Sequence, residues 1–170
     1  RTVYPDRIAR LRQARPDMAI TSDFIVGFPG ESDADFEETL GLIETVGFDG
    51  VFAFMYTDRP VAPASGFEAK IDEALKKERL QRLLQHQEMF TLSSNKALIG
   101  GEQEVLVEGF STRPGLAEEK VPQRQWSGRT PGNKIVNFDQ DPDCTGGDAV
   151  RPGLMVGVRI EKAYSHSLWG

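Results

Sequence analysis

Apolar positions in the first hundred residues recur with two alternating periods. Tyr4, Ile8 and Leu11 fall at i, i+4 and i+7, one stripe of a helix. That helix should stop by Arg15, because Pro16 disfavours helical geometry in the residue before it. Residues 18–28 (MAITSDFIVGF) are rich in β-formers and end in a nearly continuous apolar run, as a buried parallel strand requires. Pro29 and Gly30 break the run. Ser32 then suits a helix start, its hydroxyl capping the amide of Asp35 while Asp35 reaches back. Phe36, Leu40, Ile43 and Gly47 mark the buried stripe of that helix, and Gly47 can end it. Residues 51–56 (VFAFMY) form a second apolar strand. The order helix, strand, helix, strand predicts parallel β/α units.

Residues 59–66, with two prolines, read as a loop, and residues 71–98 as one long helix with Leu80, Leu83, Leu84 and Phe90 on its apolar positions. Its charged residues (Lys76, Lys77, Glu78, Arg79, Arg82) read as a solvated face. The pattern changes at Ile99, Gly100 and Gly101. Short β-type runs follow at 103–110, 134–138 and 154–163, separated by turn residues and without a helical period. The chain therefore divides into an α/β part, residues 1–97, and a small all-β barrel, residues 98–170. An opening helix with nothing upstream to pack on also predicts a piece of a longer protein.

Charge narrows the chemistry. Of 170 residues, 20 are Lys or Arg and 26 are Asp or Glu, a net charge of −6. From residue 98 onward, 8 basic residues face 10 acidic ones, a net of −2. Nucleic acid cannot then be held by bulk positive charge, and any such contact must come from a local basic face. No apolar run approaches the roughly 20 residues that span a bilayer, and no signal-peptide pattern opens the chain. A lone Cys144 offers no disulfide framework, so a reducing, cytoplasmic setting is expected.

The most informative stretch is residues 23–31 (DFIVGFPGE). It places Asp23 two residues before Ile25, and a Gly27–Pro29–Gly30 turn at the C-terminal end of a parallel strand, where β/α folds bind ligands. Glycine lets a flat ring approach the backbone, and a carboxylate suits paired ribose hydroxyls. A plain strand-to-helix turn would read the same way.

Other signals fail. Asp139, Asp141 and Asp143 alternate like a calcium loop, but Cys144 stands at the glycine position and Val150 at the bidentate glutamate position. Cys144 sits beside acids and has no second cysteine, so it supports neither a metal site nor a nucleophile. His86 and His166 are ordinary in their contexts.

Residues 23–31 resemble the fifth-strand motif of radical S-adenosylmethionine enzymes. The resemblance implies that Asp23 binds the ribose and Ile25 the adenine of S-adenosylmethionine, with Gly27, Pro29, Gly30 and Glu31 shaping the turn. Residues 56–60 (YTDRP) are similar to a methylthiotransferase loop, although Val61 and Ala62 replace the usual Gly and Thr. Val105 to Gly109, residues 128–138 (GRTPGNKIVNF) and residues 157–170 resemble the TRAM domain of these enzymes, and the middle stretch is close to the MiaB-type, tRNA-modifying branch.

The fold implied is α/β followed by all-β: the last β/α units of a partial radical-SAM (TIM-like) barrel, then a small TRAM (OB-like) antiparallel β-barrel. The family's chemistry uses S-adenosylmethionine and two [4Fe–4S] clusters to methylthiolate carbon 2 of N6-isopentenyladenosine beside the tRNA anticodon. Alternatives are a methylthiotransferase acting on a ribosomal protein, one acting on threonylcarbamoyladenosine, or an RNA-binding module alone. The cluster cysteines are absent from this chain, so it is expected to be inactive by itself. Its partner is expected to be the tRNA anticodon stem-loop, without a membrane. Arg129 and Lys134 flank a turn and can meet phosphates, Asn133 can reach a polar edge, and Trp126 can offer a stacking face.

Overall fold

A computed structural model describes residues 3–16, 18–111, 125–139 and 150–170. The chain divides into two compact units, residues 1–91 and 92–170.

The first unit contains α1 (Val3–Ala14), β1 (Thr21–Val26), α2 (Asp33–Val46), β2 (Gly50–Met55), a 3-10 turn (Pro63–Gly66) and most of α3 (Glu73–Lys96). β1 and β2 pair in parallel, Asp23 opposite Phe52 and Ile25 opposite Phe54. Strand pairing starts at Thr21 rather than Met18. One residue earlier, the Ile20 amide donates instead to the Asp49 carboxylate at 2.9 Å, and the Asp49 amide donates to the Ile20 carbonyl. The capping box at Ser32 forms as its sequence requires, and Gly47 closes α2 at φ 65°, a left-handed geometry that favours glycine.

Phe36, Leu40, Ile43 and Val46 of α2 pack with Ile20, Val26, Phe48 and Leu83 of α3, and Phe24, Ala53 and Met55 of the strands join this core. Side chains alternate across a strand, so the opposite sheet face carries Asp23, Ile25, Phe52 and Phe54. There Ile25 is 59 %, Phe52 60 % and Phe54 57 % exposed. The nearly continuous apolar run that ends residues 18–28 predicts burial on both faces, but the helices of this unit cover only one.

Among the described residues, the second unit forms a six-stranded sheet in the order β6-β3-β4-β5-β8-β7: β3 (Glu102–Phe110), β4 (Trp126–Arg129), β5 (Ile135–Phe138), β6 (Met155–Arg159), β7 (Lys162–Ala163) and β8 (Leu168–Trp169). It curls round one core of Val105, Val107, Trp126, Val136, Phe138, Val156, Val158, Ile160 and Leu168. The strands pair antiparallel except β5 with β8, which run parallel. This departs from an all-antiparallel barrel: the chain loops past β7 and brings Leu168 back beside Val136. Gly128 is required by close approach rather than by its φ, because an added Cβ would collide with the Leu106 carbonyl oxygen across the strand pair.

Candidate functional site

Two places carry the residues that the sequence singles out, one in each unit. In the first, β1 ends at a turn held by charge. Gly27 takes φ 72° and Gly30 φ 86°, conformations that glycine reaches without the cost a Cβ imposes. The Gly27 amide donates to Glu31 Oε2 at 2.8 Å, so the carboxylate folds back under the turn. The same carboxylate accepts from Arg79 Nη1 at 2.8 Å. Arg79 Nη1 also donates to the Glu31 carbonyl at 3.1 Å, and its Nη2 to Asp33 Oδ1 at 2.6 Å.

Arg79 is only 3 % exposed. The solvated-face reading of α3 thus fails at this residue. Arg79 points at the carboxylates that follow β1, and its planar fork satisfies several acceptors at once. Lys76, one turn earlier, lies against Gly27, leaving no room for a Cβ there, and its Nζ donates to the Tyr56 carbonyl at the end of β2 at 3.2 Å. Two cations of α3 therefore fasten the C-terminal ends of both strands. Lys77, by contrast, is exposed as expected.

Asp23 and Ile25, two residues apart on β1, share the uncovered sheet face with Phe52 and Phe54. A carboxylate beside an aliphatic side chain and two aromatic rings suits a nucleoside, whose ribose offers hydroxyl donors and whose base offers a flat apolar face. Gly27, Pro29 and Gly30 serve the turn, with the Gly30 amide donating to the Ala69 carbonyl at 2.8 Å.

Beyond β2, Tyr56 donates to Asp58 Oδ1 at 3.0 Å, and Lys70 closes on the same oxygen and on the carbonyls of Ala64 and Ser65. Hydrogen bonds from Lys70 and then Tyr56 hold the Asp58 carboxyl below its ordinary range. Burial, followed by the bond to Asp58, pushes the Tyr56 phenol up. Phe28 stands edge-on to both Tyr56 and Phe67, so this loop is packed as well as charged. Arg59 is exposed.

In the second unit, Arg129 lies on the outer face of β4. Its Nε is 3.2 Å from Glu108, and Nη1 donates to Asn133 Oδ1 at 3.0 Å. Asn133 sits in the turn after β4 at φ 61°, a geometry that Asn tolerates better than most residues. Lys134 Nζ donates to Asn95 Oδ1 at 2.9 Å. Arg129 and Asn133 therefore belong to one surface cluster, with Lys134 beside it in sequence and tied to Asn95. Trp126 departs from its expected role. It is 7 % exposed and part of the core, and its ring is stacked against Phe110 at 4.2 Å between centroids. Phe110 itself is 47 % exposed.

Among the described residues no group of three or more His, Cys, Asp or Glu could hold a metal ion. Asp141, Asp143 and Cys144 lie outside them. No described helix is long and apolar enough to cross a membrane.

Residues 96–170 match the TRAM domain family. The whole chain is similar to tRNA-2-methylthio-N(6)-dimethylallyladenosine synthases: 46 % identical over 170 residues to that of Desulfosudis oleivorans, covering all of this chain and 36 % of the relative. The synthase of Nitrosospira multiformis is 46 % identical over 168 residues, 98 % of this chain and 32 % of the relative. That of Coxiella burnetii is 41 % identical over 167 residues, 98 % and 35 %. The chain thus spans about a third of the length of the curated relatives it matches.

Proposed function

We propose that this TRAM-domain chain, similar from end to end to tRNA methylthiotransferases, works as part of an enzyme that methylthiolates N6-dimethylallyladenosine in tRNA. The observation that carries the reading is that similarity, which runs through both units rather than through the TRAM domain alone. On this reading residues 1–97 are the last β/α units and closing helix of a parallel barrel, and residues 98–170 dock the RNA.

The uncovered face of β1 and β2 is what a barrel interior would present. Asp23 would hold the ribose hydroxyls of S-adenosylmethionine, and Ile25 the adenine. When bound, the cofactor supplies the radical that removes hydrogen from the substrate base. This chain's residues bind and orient it: Asp23 by accepting hydrogen bonds, Ile25 by apolar contact, and the Gly27–Gly30 turn by fixing where β1 ends. Phe52 and Phe54 line the same face and would offer the base an apolar surface. A [4Fe–4S] cluster takes cysteine thiolates, and one cysteine in 170 residues cannot supply them. Its ligands would come from other parts of the enzyme. In the second unit Arg129, Asn133 and Lys134 would meet the RNA backbone.

The test is mass spectrometry of tRNA from cells that lack their own methylthio synthase and express the longer protein containing this chain. Gain of a methylthio group on N6-dimethylallyladenosine supports the reading. Transfer to threonylcarbamoyladenosine or to a ribosomal protein, with N6-dimethylallyladenosine unchanged, overturns it in favour of a sister activity.

A further inference from the structure

We infer that Arg59, at the tip of the loop that follows β2, holds a phosphate of the RNA strand beside the base being modified. This rests on the tRNA-modifying reading above and adds to it an RNA contact in the first unit. The loop motif at residues 56–60 has no task in that reading.

The loop leaves the C-terminal end of β2, the end at which parallel β/α folds gather their ligands. It is built onto the turn of the candidate cofactor site. The Tyr56 amide donates to the Val26 carbonyl, and the Gly30 amide to the Ala69 carbonyl, each at 2.8 Å. Both ends of the loop are thus fixed to the end of β1 and the turn after it. Within the loop, Lys70 gathers Asp58 and the carbonyls of Ala64 and Ser65. The Ala62 amide donates to the Arg59 carbonyl at 2.8 Å and closes a turn through Pro60. A loop tied at both ends and across its middle holds its tip in place, so an arginine carried there is positioned before a ligand arrives.

The cations at this end of the strands differ in their engagements. Lys70, Lys76 and Arg79 each donate to acceptors of the protein. Arg59 is exposed, and among the described residues no hydrogen bond or ion pair engages its guanidinium. The neighbouring Asp58 carboxylate does not occupy it, being held by Tyr56 and Lys70. Val61, two residues on, is 96 % exposed, so the tip stands clear of the core. A planar guanidinium matches two phosphate oxygens at once. A base drawn out of its stack for chemistry brings its flanking phosphates to the mouth of the site. A fixed arginine at that mouth would set how far the strand enters.

The test uses the longer protein that contains this chain and the anisotropy of a labelled anticodon stem-loop bearing N6-dimethylallyladenosine, across a salt series. Arg59→Ala should weaken binding about fivefold at low salt and lower the logarithmic salt slope by about one, the mark of one lost phosphate contact. A phosphate carries no base identity, so the same loss is expected for a stem-loop with plain adenosine. Arg59→Lys should keep most of the slope and recover only part of the affinity. Lys77→Ala removes one charge from an exposed position of α3 and should stay within about twofold of wild type. Far-ultraviolet circular dichroism checks the fold of each variant. Equal losses in Lys77→Ala and Arg59→Ala would reduce the effect to net charge and overturn the contact. Wild-type binding that Arg59→Ala leaves unchanged would overturn it too, with RNA docking intact. A raised KM for S-adenosylmethionine at unchanged RNA affinity would overturn it by assigning Arg59 to the cofactor. Absence of wild-type binding would overturn the docking reading, and the contact with it.

Discussion

Arg79 concentrates the residue-scale argument. A guanidinium excluded from water is retained only if its partners compensate for lost hydration, and Glu31 and Asp33 do so. Removing it by Arg79→Ala leaves Glu31 under the β1 turn without its cation. The expected cost is about 3 kcal/mol, the low end for breaking a buried pair because Asp33 is exposed, read as a fall in the urea midpoint. Arg79→Lys should recover only part, since an ammonium cannot reproduce the planar fork.

The Tyr56–Asp58–Lys70 cluster adds a pH dependence of definite sign. Asp58 has its pKa lowered in the fold from about 3.8, so it stabilises above that value, and the contribution disappears as pH falls through the lower folded pKa. Tyr56 has its pKa raised from 10.0, so its contribution is complete below pH 10 and is lost as pH rises through the folded value. Thermal melts from pH 2 to 12 should show both losses in the native chain. Asp58→Asn should remove the acid-side loss and diminish the alkaline one. An unchanged acid limb in Asp58→Asn would show that other carboxylates set it.

At the scale of elements, the sequence was informative where one rule acted locally. Ser32 and Asp35 announced the start of α2, Gly47 its end, and Pro16 the limit of α1, because caps and proline act through neighbouring backbone groups. Ser32→Ala should cost about 1 kcal/mol. β4 and β8 were harder to see. β4 is four residues long and contains Gly128, a residue depleted in strands. It exists because Gly128 admits the backbone of β3. Gly128→Ala should destabilise the second unit by about 1–3 kcal/mol, the usual cost of overpacking, in urea unfolding followed by tryptophan fluorescence. Arg79 was misread for a related reason: a charge on a helix looks solvated until the carboxylates folding back toward it from another element are known. Trp126, offered as a stacking face, lies in the core instead, because an aromatic residue that opens a strand reads the same whichever face it takes.

Across the whole molecule, the sequence divides near residue 97, the compact units near 91, and the family match begins at 96. α3 runs across the boundary between the compact units. The candidate cofactor residues were legible because Asp23 and Ile25 follow the period of a strand and the turn after them is spelled in glycine and proline. The exposure of their sheet face was not legible, since an apolar strand reads the same whether its second face is covered by this chain or left open. On the proposed reading, recognition of RNA by a chain of net charge −6 must be local, and Arg129 and Asn133 share one hydrogen-bonded cluster at β4 and the turn after it, with Lys134 next in sequence. The most direct measurement is therefore the affinity of this chain for an anticodon stem-loop bearing N6-dimethylallyladenosine, across a salt series, with Arg129→Ala in parallel. The account predicts binding that weakens with salt, and a logarithmic salt slope that Arg129→Ala reduces by about one. Binding that is absent at low salt, or indifferent to both salt and Arg129, would contradict it.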